Sequence, residues 1–315
     1  MIEAEAIPYE PALLRGERLL VLAPHPDDEV IGCGGLVAQH LREGRAVHIV
    51  VATDGAEGGE AAAREEESRR AIATLGDATL EFLRLPDRSL GDDAMPALRN
   101  ELLAFRPDLI LVPSPIEFHP DHAALARVFC ELVQRDDMLF AELAVARVAF
   151  YEVNQPLRPN ALVDISDVAE AKFAAIAQHA SQLAVRDYVA YTRGLNAFRA
   201  MTLPAGTQFG EAYFVLGLPK LRTTPLSALR QQIGAPPELE VTREAVPISV
   251  VIRTKDRPEL LREAIASVRA NAYPSEIVVV NDGGSDVALD RVTYVRHDEP
   301  KGRSEAANAG VRKAA

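Results

Sequence analysis

Between residues 18 and 135, short apolar runs alternate with segments whose apolar positions recur every three or four residues. RLLVLA (18–23), AVHIVVATDG (46–55), TLEFLRLPD (79–87) and DLILVPS (108–114) read as strands. VIGCGGLVAQHLREG (30–44), AAAREEESRRAIATLG (61–76), DAMPALRNELLAF (93–105) and DHAALARVFCELVQR (121–135) read as helices, the first two stopped by Gly44 and Gly76. Strands that are apolar almost throughout, separated by amphipathic helices, predict a parallel sheet covered on both faces. With right-handed crossovers this is an α/β, doubly wound, Rossmann-like layer structure.

The pattern continues with strands at 145–153 and 161–166, a helix over 168–183, another from about Asp187 to Met201, and a strand EAYFVLGL (211–218). The composition then shifts. Residues 220–247 contain four prolines and few large apolar residues, so 219–246 reads as a linker with a short helix around 226–233. After it come a strand (248–254), a helix (258–271), strands at 276–282 and 292–297, and a helix (303–315). The expected organisation is a domain over 1–218, the linker, and a piece over 247–315 with too few elements to close an α/β core alone.

Composition narrows the functional classes. Hydrophobic residues at 48% and charged residues at 25% are ordinary for a globular protein. A net charge of −12 argues against nucleic acid or an anionic membrane as the main partner. Two cysteines, Cys33 and Cys130, do not make a disulfide framework. The start MIEAEAIPYEPALL lacks a basic-then-apolar leader, and no apolar run reaches the length of a membrane span. A cytoplasmic protein is the expectation.

Two strings carry the chemistry. Pro-His-Pro-Asp-Asp-Glu (24–29) follows the first strand and His-Pro-Asp-His (119–122) follows the fourth. Groups beyond the carboxyl ends of strands in an open α/β sheet face one crevice. His25, Asp28 and His122 would then form a two-histidine, one-carboxylate set for zinc with an open position for water. Asp27 is a free carboxylate beside them, suited to take a proton from water as general base. His119 could stabilise an oxyanion or protonate a leaving amine, and Asp121 could fix a histidine tautomer. Taken singly, each string could be no more than a helix N-cap or a satisfied histidine. Cys33 sits in GCGG, which suggests tight helix packing; the GxGxxG dinucleotide spacing is missing.

PHPDDE after a strand with HPDH downstream resembles the PIG-L/LmbE family of zinc-dependent N-acetylglucosaminide deacetylases. Lesser matches are TDG (53–55), the helix at Arg64, LPD (85–87), YEV (151–153), HASQ (179–182) and GEAY (210–213), so that the likeness spans about 1–218. It implies a PIG-L/LmbE-like sheet and one Zn2+ per chain, or another divalent transition metal in its place. It implies metal binding at His25, Asp28 and His122, a base at Asp27 and an electrophile at His119. Arg64 and Asp87 fall where the family contacts sugar hydroxyls; a helix-surface ion pair and a turn residue are the plain alternatives. Some relatives carry a tyrosine where this chain has Glu117, which removes a tyrosine-assisted oxyanion from the expectation.

ISVVIRTKDRPELLREAIASV with EIVVVNDGGSD resembles the start of a family 2 glycosyltransferase of GT-A fold, over 247–315. That likeness implies a base contact at Asp282. It also implies that the family's Asp-x-Asp motif lies outside this stretch, so that the piece transfers no sugar. The reading is a metal-dependent amidohydrolase acting on a small amino-sugar glycoconjugate, with no nucleic-acid partner and room for a homo-oligomer. The alternatives are a sugar- or nucleotide-binding module without hydrolysis, and a glycosyltransferase whose N-terminal domain recruits substrate.

Overall fold

The computed structural model of the protein describes residues 10–235, 248–270 and 275–314. The chain divides into two compact units, Met1–Pro237 and Glu238–Ala315. In the first, strand β1 (Arg18–Ala23) is buried along all but its first residue. It pairs in parallel with β2 (Ala46–Thr53) on one side and β4 (Leu109–Pro113) on the other. With β3 (Thr79–Leu85), β5 (Arg147–Tyr151), β6 (Ala161–Asp164) and β7 (Gly210–Gly217) it builds a seven-stranded sheet in the order β3-β2-β1-β4-β5-β7-β6. Strands β1 to β5 run parallel, and β7 runs antiparallel to β5 and β6.

Side chains alternate across the strands. Leu20, Leu22, Val50, Ile110 and Val112 fill the core on one face of the sheet. Leu19, Val21, Ala23, Ile49 and Val51 fill the core on the other. Continuous apolar strands are thus explained by two covered faces, as the sequence pattern implies. From β1 the chain winds outward through β2 and β3, then returns to β4 on the other side. The β1/β4 boundary is therefore the topological switch point, where open α/β sheets place their ligand crevice.

The helix after β1, Asp28–Arg42, bends at Cys33 (φ −141°, ψ 17°). Its small residues permit a very close approach. A Cβ on Gly32 would stand 2.3 Å from the Tyr151 ring, and one on Gly35 would stand 2.8 Å from Ile165. The bend frees backbone donors, and Glu211 accepts them, from Gly35 N–H at 2.7 Å and Leu36 N–H at 2.9 Å. Lys172 Nζ (2.7 Å) and the Tyr213 hydroxyl (2.7 Å) complete the coordination of Glu211. Both members of the Lys172–Glu211 pair are essentially without solvent exposure. Removing one partner of such a pair leaves a buried, uncompensated charge.

Two expectations need correction. The helix expected over 168–183 is broken into Ala169–Ile176 and a single turn Ala180–Leu183, with His179 buried at the break. The linker expected over 219–246 is structured in its first part. Leu218–Thr223 and Leu226–Ile233, the second of them the short helix expected around 226–233, are helices whose Leu218, Leu221, Leu229 and Ile233 are fully buried in the core of the first unit. The prolines mislead here because they stand at helix starts: Pro219 in the first turn and Pro225 at the N-cap. There a missing N–H costs nothing. The remainder of the expected linker, 236–246, lies outside the described residues.

In the second unit β8 (Ile248–Thr254), β9 (Ser275–Asp282) and β10 (Thr293–His297) form a parallel sheet in the order β10-β9-β8. Its core is small: Leu261, Ile265, Ile277 and Val279 are the buried members of the apolar cluster. Among the described residues no helix is long and apolar enough to cross a membrane.

Two stability measurements test this account. Lys172→Met should lower the unfolding free energy by about 3–5 kcal/mol, because Glu211 is left charged and unpaired. Leu229→Ala should cost roughly 2–5 kcal/mol, as expected for a core leucine. Denaturant titration reads both, and a Leu229→Ala protein as stable as the parent would return this segment to linker status.

Candidate active site

The site is built from the turns and helix starts after β1, β3 and β4. After β1 the chain turns through Pro24–Asp27 and enters the helix at Asp28. Asp28 Oδ2 accepts from the backbone N–H of its own turn, at His25 (3.0 Å), which fixes the carboxylate. After β4, His119 caps the helix Pro120–Arg135 by accepting the Asp121 N–H on Nδ1 (3.3 Å). His122 lies in the first turn of that helix.

Three donor atoms meet. His25 Nδ1 lies 3.1 Å from Asp28 Oδ2 and 3.2 Å from His122 Nε2, and His122 Nε2 lies 3.1 Å from Asp28 Oδ2. Two ligands of a tetrahedral zinc, each about 2.0–2.1 Å from the ion, are roughly 3.3 Å apart. The near-equilateral triangle of two imidazole nitrogens and one carboxylate oxygen therefore fits a divalent ion with a coordination position left over.

The surroundings suit the same purpose. The other nitrogen of the His25 ring, Nε2, is 3.1 Å from both Asp87 Oδ1 and Asp121 Oδ2. Carboxylates on the far side of a ligating histidine orient the ring and raise its basicity. His122 Nδ1 is buried with no hydrogen-bond partner; Glu117 Oε2 stands 3.6 Å away. Burial would lower the pKa of His25, but Asp121, Asp28 and Asp87 push it up to about 12. Burial likewise opposes the charge of His122, yet Asp28 raises it to about 9. Burial would raise Asp28, but His122 and His25 hold its carboxyl well below the usual carboxylate range. So many buried acids around the rings call for positive charge, which a divalent cation supplies. His119 also lies within reach of the same position, in a donor group with His25 and His122, and a further group joins His25, Asp87, His119 and Asp121.

Asp27 is set differently. Its φ of 143° lies in the region that favours glycine, so the backbone is strained. Glu29, fully buried, accepts the Asp27 N–H at 2.9 Å and is itself bonded by the Ser68 hydroxyl at 2.8 Å. Arg64 Nη2 stands 3.2 Å from Asp27 Oδ2. Burial, then the adjacent Asp28 charge, pushes Asp27 up to about 7 against the pull of Arg64. Asp27 lines a cleft of about 150 Å³ together with His25, Asp28, His119 and His122. His119 accepts on Nδ1, so its neutral ring carries the proton on Nε2. Burial and the neighbouring His25 and His122 lower its pKa and favour that neutral form.

The structure thus brings together His25, Asp27, Asp28, Arg64, Asp87, His119, Asp121 and His122. It assigns some of them different neighbours from those expected. The Arg64 guanidinium is buried, bonded to the Gly55 and Pro26 carbonyls and to Asp27, and is neither an exposed surface ion pair nor free. Asp87 gives one oxygen to His25 and the other to the Glu57 N–H, where a sugar contact was expected. Asp282, in the second unit, has its carboxylate engaged by the His297 ring and the Lys301 and Gly302 N–H groups.

Sequence reasoning missed Glu29 and the structural part of Glu117. Glu117 accepts the Val153 and Asn154 N–H groups and so pins the loop after β5 against the site. The signal for Glu29 was its place directly after the paired aspartates. Glu117 offered only its difference from the tyrosine of some relatives.

Comparison with known proteins gives the same outline. Residues 20–133 match the GlcNAc-PI de-N-acetylase family, PIG-L. Residues 249–315 match glycosyl transferase family 2. Diacetylchitobiose deacetylase of Thermococcus kodakarensis is 31% identical over 194 residues, covering 53% of this chain and 70% of the relative. The 4-oxalmesaconate hydratase of Pseudomonas putida is 30% identical over 210 residues, covering 57% of this chain and 81% of the relative. The crystal structure of N,N'-diacetylchitobiose deacetylase from Pyrococcus horikoshii superposes with a TM-score of 0.57 at 26% identity, covering 68% of this chain and 89% of that one. A strand–helix sheet with its switch point at β1/β4, the two strings placed on that crevice, and relatives of this identity and coverage lead to one assignment: the chain belongs, through its first unit, to the PIG-L family of de-N-acetylases.

Proposed function

We propose that the first unit hydrolyses the acetamide of an N-acetylglucosamine-type glycoconjugate. The observation that carries this is the donor triangle of His25, Asp28 and His122 with Asp27 beside it in one cleft. The deacetylase relatives support it. A divalent ion such as Zn2+ held by the triangle would supply a Lewis acid for the amide carbonyl and a water of lowered pKa.

The chain's own residues do the rest. Asp27, raised in pKa by burial, takes the proton from the attacking water and returns it to the departing amine nitrogen. Arg64 and Glu29 hold that carboxylate and its backbone in place. His119 directs its Nε2–H at the carbonyl oxygen as negative charge develops there. Asp121 takes the Arg88 and Leu90 N–H groups and the His25 ring, which ties the loop after β3 to the metal side of the cleft.

A second reading comes from the hydratase relative: the same groups could add water to a carbon–carbon double bond. Acetate release from N-acetylglucosamine conjugates, measured enzymatically, separates the two. Release that requires a divalent metal is expected. Hydration of an unsaturated acid without acetate release from any conjugate would overturn the deacetylase reading.

Variants divide the roles. His25→Ala and His122→Ala should lose the bound metal, read by elemental analysis. Asp27→Asn should keep the metal and lose about 10²–10⁴ in kcat, the usual worth of a general base. An Asp27→Asn protein as metal-poor as Asp28→Ala would show that both carboxylates are ligands.

A further inference from the structure

The helix after β1 begins against a usual rule. An aspartate at an N-cap turns its carboxylate back to accept an N–H of the first helical turn. Asp27 is the N-cap of Asp28–Arg42, and its carbonyl accepts the Val30 and Ile31 N–H groups at 3.1 and 3.0 Å. Yet its side chain caps nothing, and Asp27 lines the cleft instead. The left-handed φ of 143° accompanies that arrangement.

Residue 27 is held at both ends from one face of the helix Ala61–Leu75. Arg64 Nη2 stands 3.2 Å from Asp27 Oδ2. Ser68, four residues on and so a neighbour on that face, donates its hydroxyl to Glu29 Oε1 at 2.8 Å. The other oxygen of Glu29, Oε2, accepts the Asp27 N–H at 2.9 Å. The stretch REEESRR (64–70) is polar enough for a solvent-facing helix, yet Arg64, Glu65, Glu67 and Ser68 are buried in it.

Resting on the deacetylase reading, we propose that Ser68 and Glu29 act in series as positioning residues. Together they hold the Asp27 peptide in its left-handed conformation, so that the carboxylate serves the cleft and does not cap its own helix.

Burial and distance single out this pair. Glu29 and Ser68 are without solvent exposure, and neither lines the cleft, so both act through Asp27. A buried carboxylate needs its oxygens bonded. The His179 ring is also near Glu29, but its Nε2 stands 4.0 Å from Oε1, beyond hydrogen-bond reach. Burial lowers the His179 pKa to about 4, which keeps that ring neutral. The Ser68 hydroxyl is therefore the side-chain bond that fixes the orientation of Glu29.

The test uses metal-loaded full-length protein and follows acetate release, bound metal and the conformation of Asp27. Glu29→Ala should lower kcat by about 10²-fold, the usual effect of a slightly misplaced reacting group. Ser68→Ala should lower kcat by about tenfold, since one hydrogen bond to a carboxylate is lost. In both, KM should stay within about threefold and the metal should be retained, because only the placement of Asp27 changes. Glu29→Gln should recover most of what Glu29→Ala loses: the amide oxygen accepts the Asp27 N–H and the amide nitrogen donates to Ser68 Oγ. A glutamine variant no better than the alanine one, or loss of metal along with kcat, would overturn the proposal. Ser68→Ala removes a single oxygen, so it tests the series even where Glu29→Ala does not fold.

Crystal structures of the two alanine variants separate this proposal from the deacetylase reading. The Asp27 φ should become negative, with the carboxylate accepting the N–H of residue 29 or of Val30. If that change occurs although the parent releases acetate from no conjugate, the positioning role stands and the hydrolytic reading falls. If the parent releases acetate and both variants keep φ near 143°, the positioning role falls and the hydrolytic reading stands.

Discussion

The parallel pairing of β1 with β4 is the constraint on which the site depends. Leu19, Leu20 and Val21 lie in register with Leu109, Ile110 and Leu111. That register sets the two strand ends side by side, so the turns beyond them open into one crevice. His25 and His122 are 97 residues apart in the chain, yet their ring nitrogens approach to 3.2 Å. Nothing local in either string could accomplish this. The apolar residues of β1 and β4 do, by requiring burial on both faces and leaving the polar turns just outside.

Once the turns are together, electrostatics decides their state. His25 stands among Asp28, Asp87 and Asp121, all within 3.1 Å of its ring. In a buried place such a concentration of carboxylates is costly unless positive charge offsets it. Arg64 is spent on Asp27 and on two carbonyls, so the remaining demand falls on the metal position. The same burial that makes the cluster costly also separates the roles of neighbouring acids. Asp28 is held ionised by two histidines, while burial and the Asp28 charge raise Asp27 against the pull of Arg64. Two adjacent aspartates thus acquire opposite proton affinities from environment alone.

Much of this was legible in the sequence, and the reason is periodicity. β1 to β5 and the helices between them are long, strongly patterned and close to what the sequence implies. The site strings were legible because acidic residues and histidines stand in unusual density where apolar strands end. The failures have equally definite causes. Leu218, Leu221, Leu229 and Ile233 are too few to dominate a composition count, and the prolines around them look like breakers although Pro219 and Pro225 begin helices. The break before Ala180 breaks no apolar pattern, since Ile176 and Leu183 keep helical spacing across it. The partners of Arg64 and Asp87 depend on how loops close over the strand ends, which no single segment encodes. Glu211 is the clearest case: a buried acid that caps a bent helix 175 residues earlier in the chain is invisible until the fold is known.

The machinery itself is generic, which bears on what selects the reaction. A proton acceptor, a proton donor and a cation position on one crevice can add water to an amide carbon or to an activated double bond, and relatives of this chain are named for both. The triangle of donors is common ground for both chemistries, so discrimination has to come from what the cleft can hold and orient. Here the helix Asp28–Arg42 supplies the Asp28 carboxylate of the donor triangle at its first residue and Ile31 to the wall of the cleft within the next turn. Its bend at Cys33 is held by Glu211, whose charge is balanced by Lys172 deep in the protein. One buried ion pair therefore supports the element that presents both the chemistry and part of the wall beside it. A small shift of that helix would move Asp28 and Ile31 together, coupling the geometry of the donor triangle to the shape of the cleft beside it.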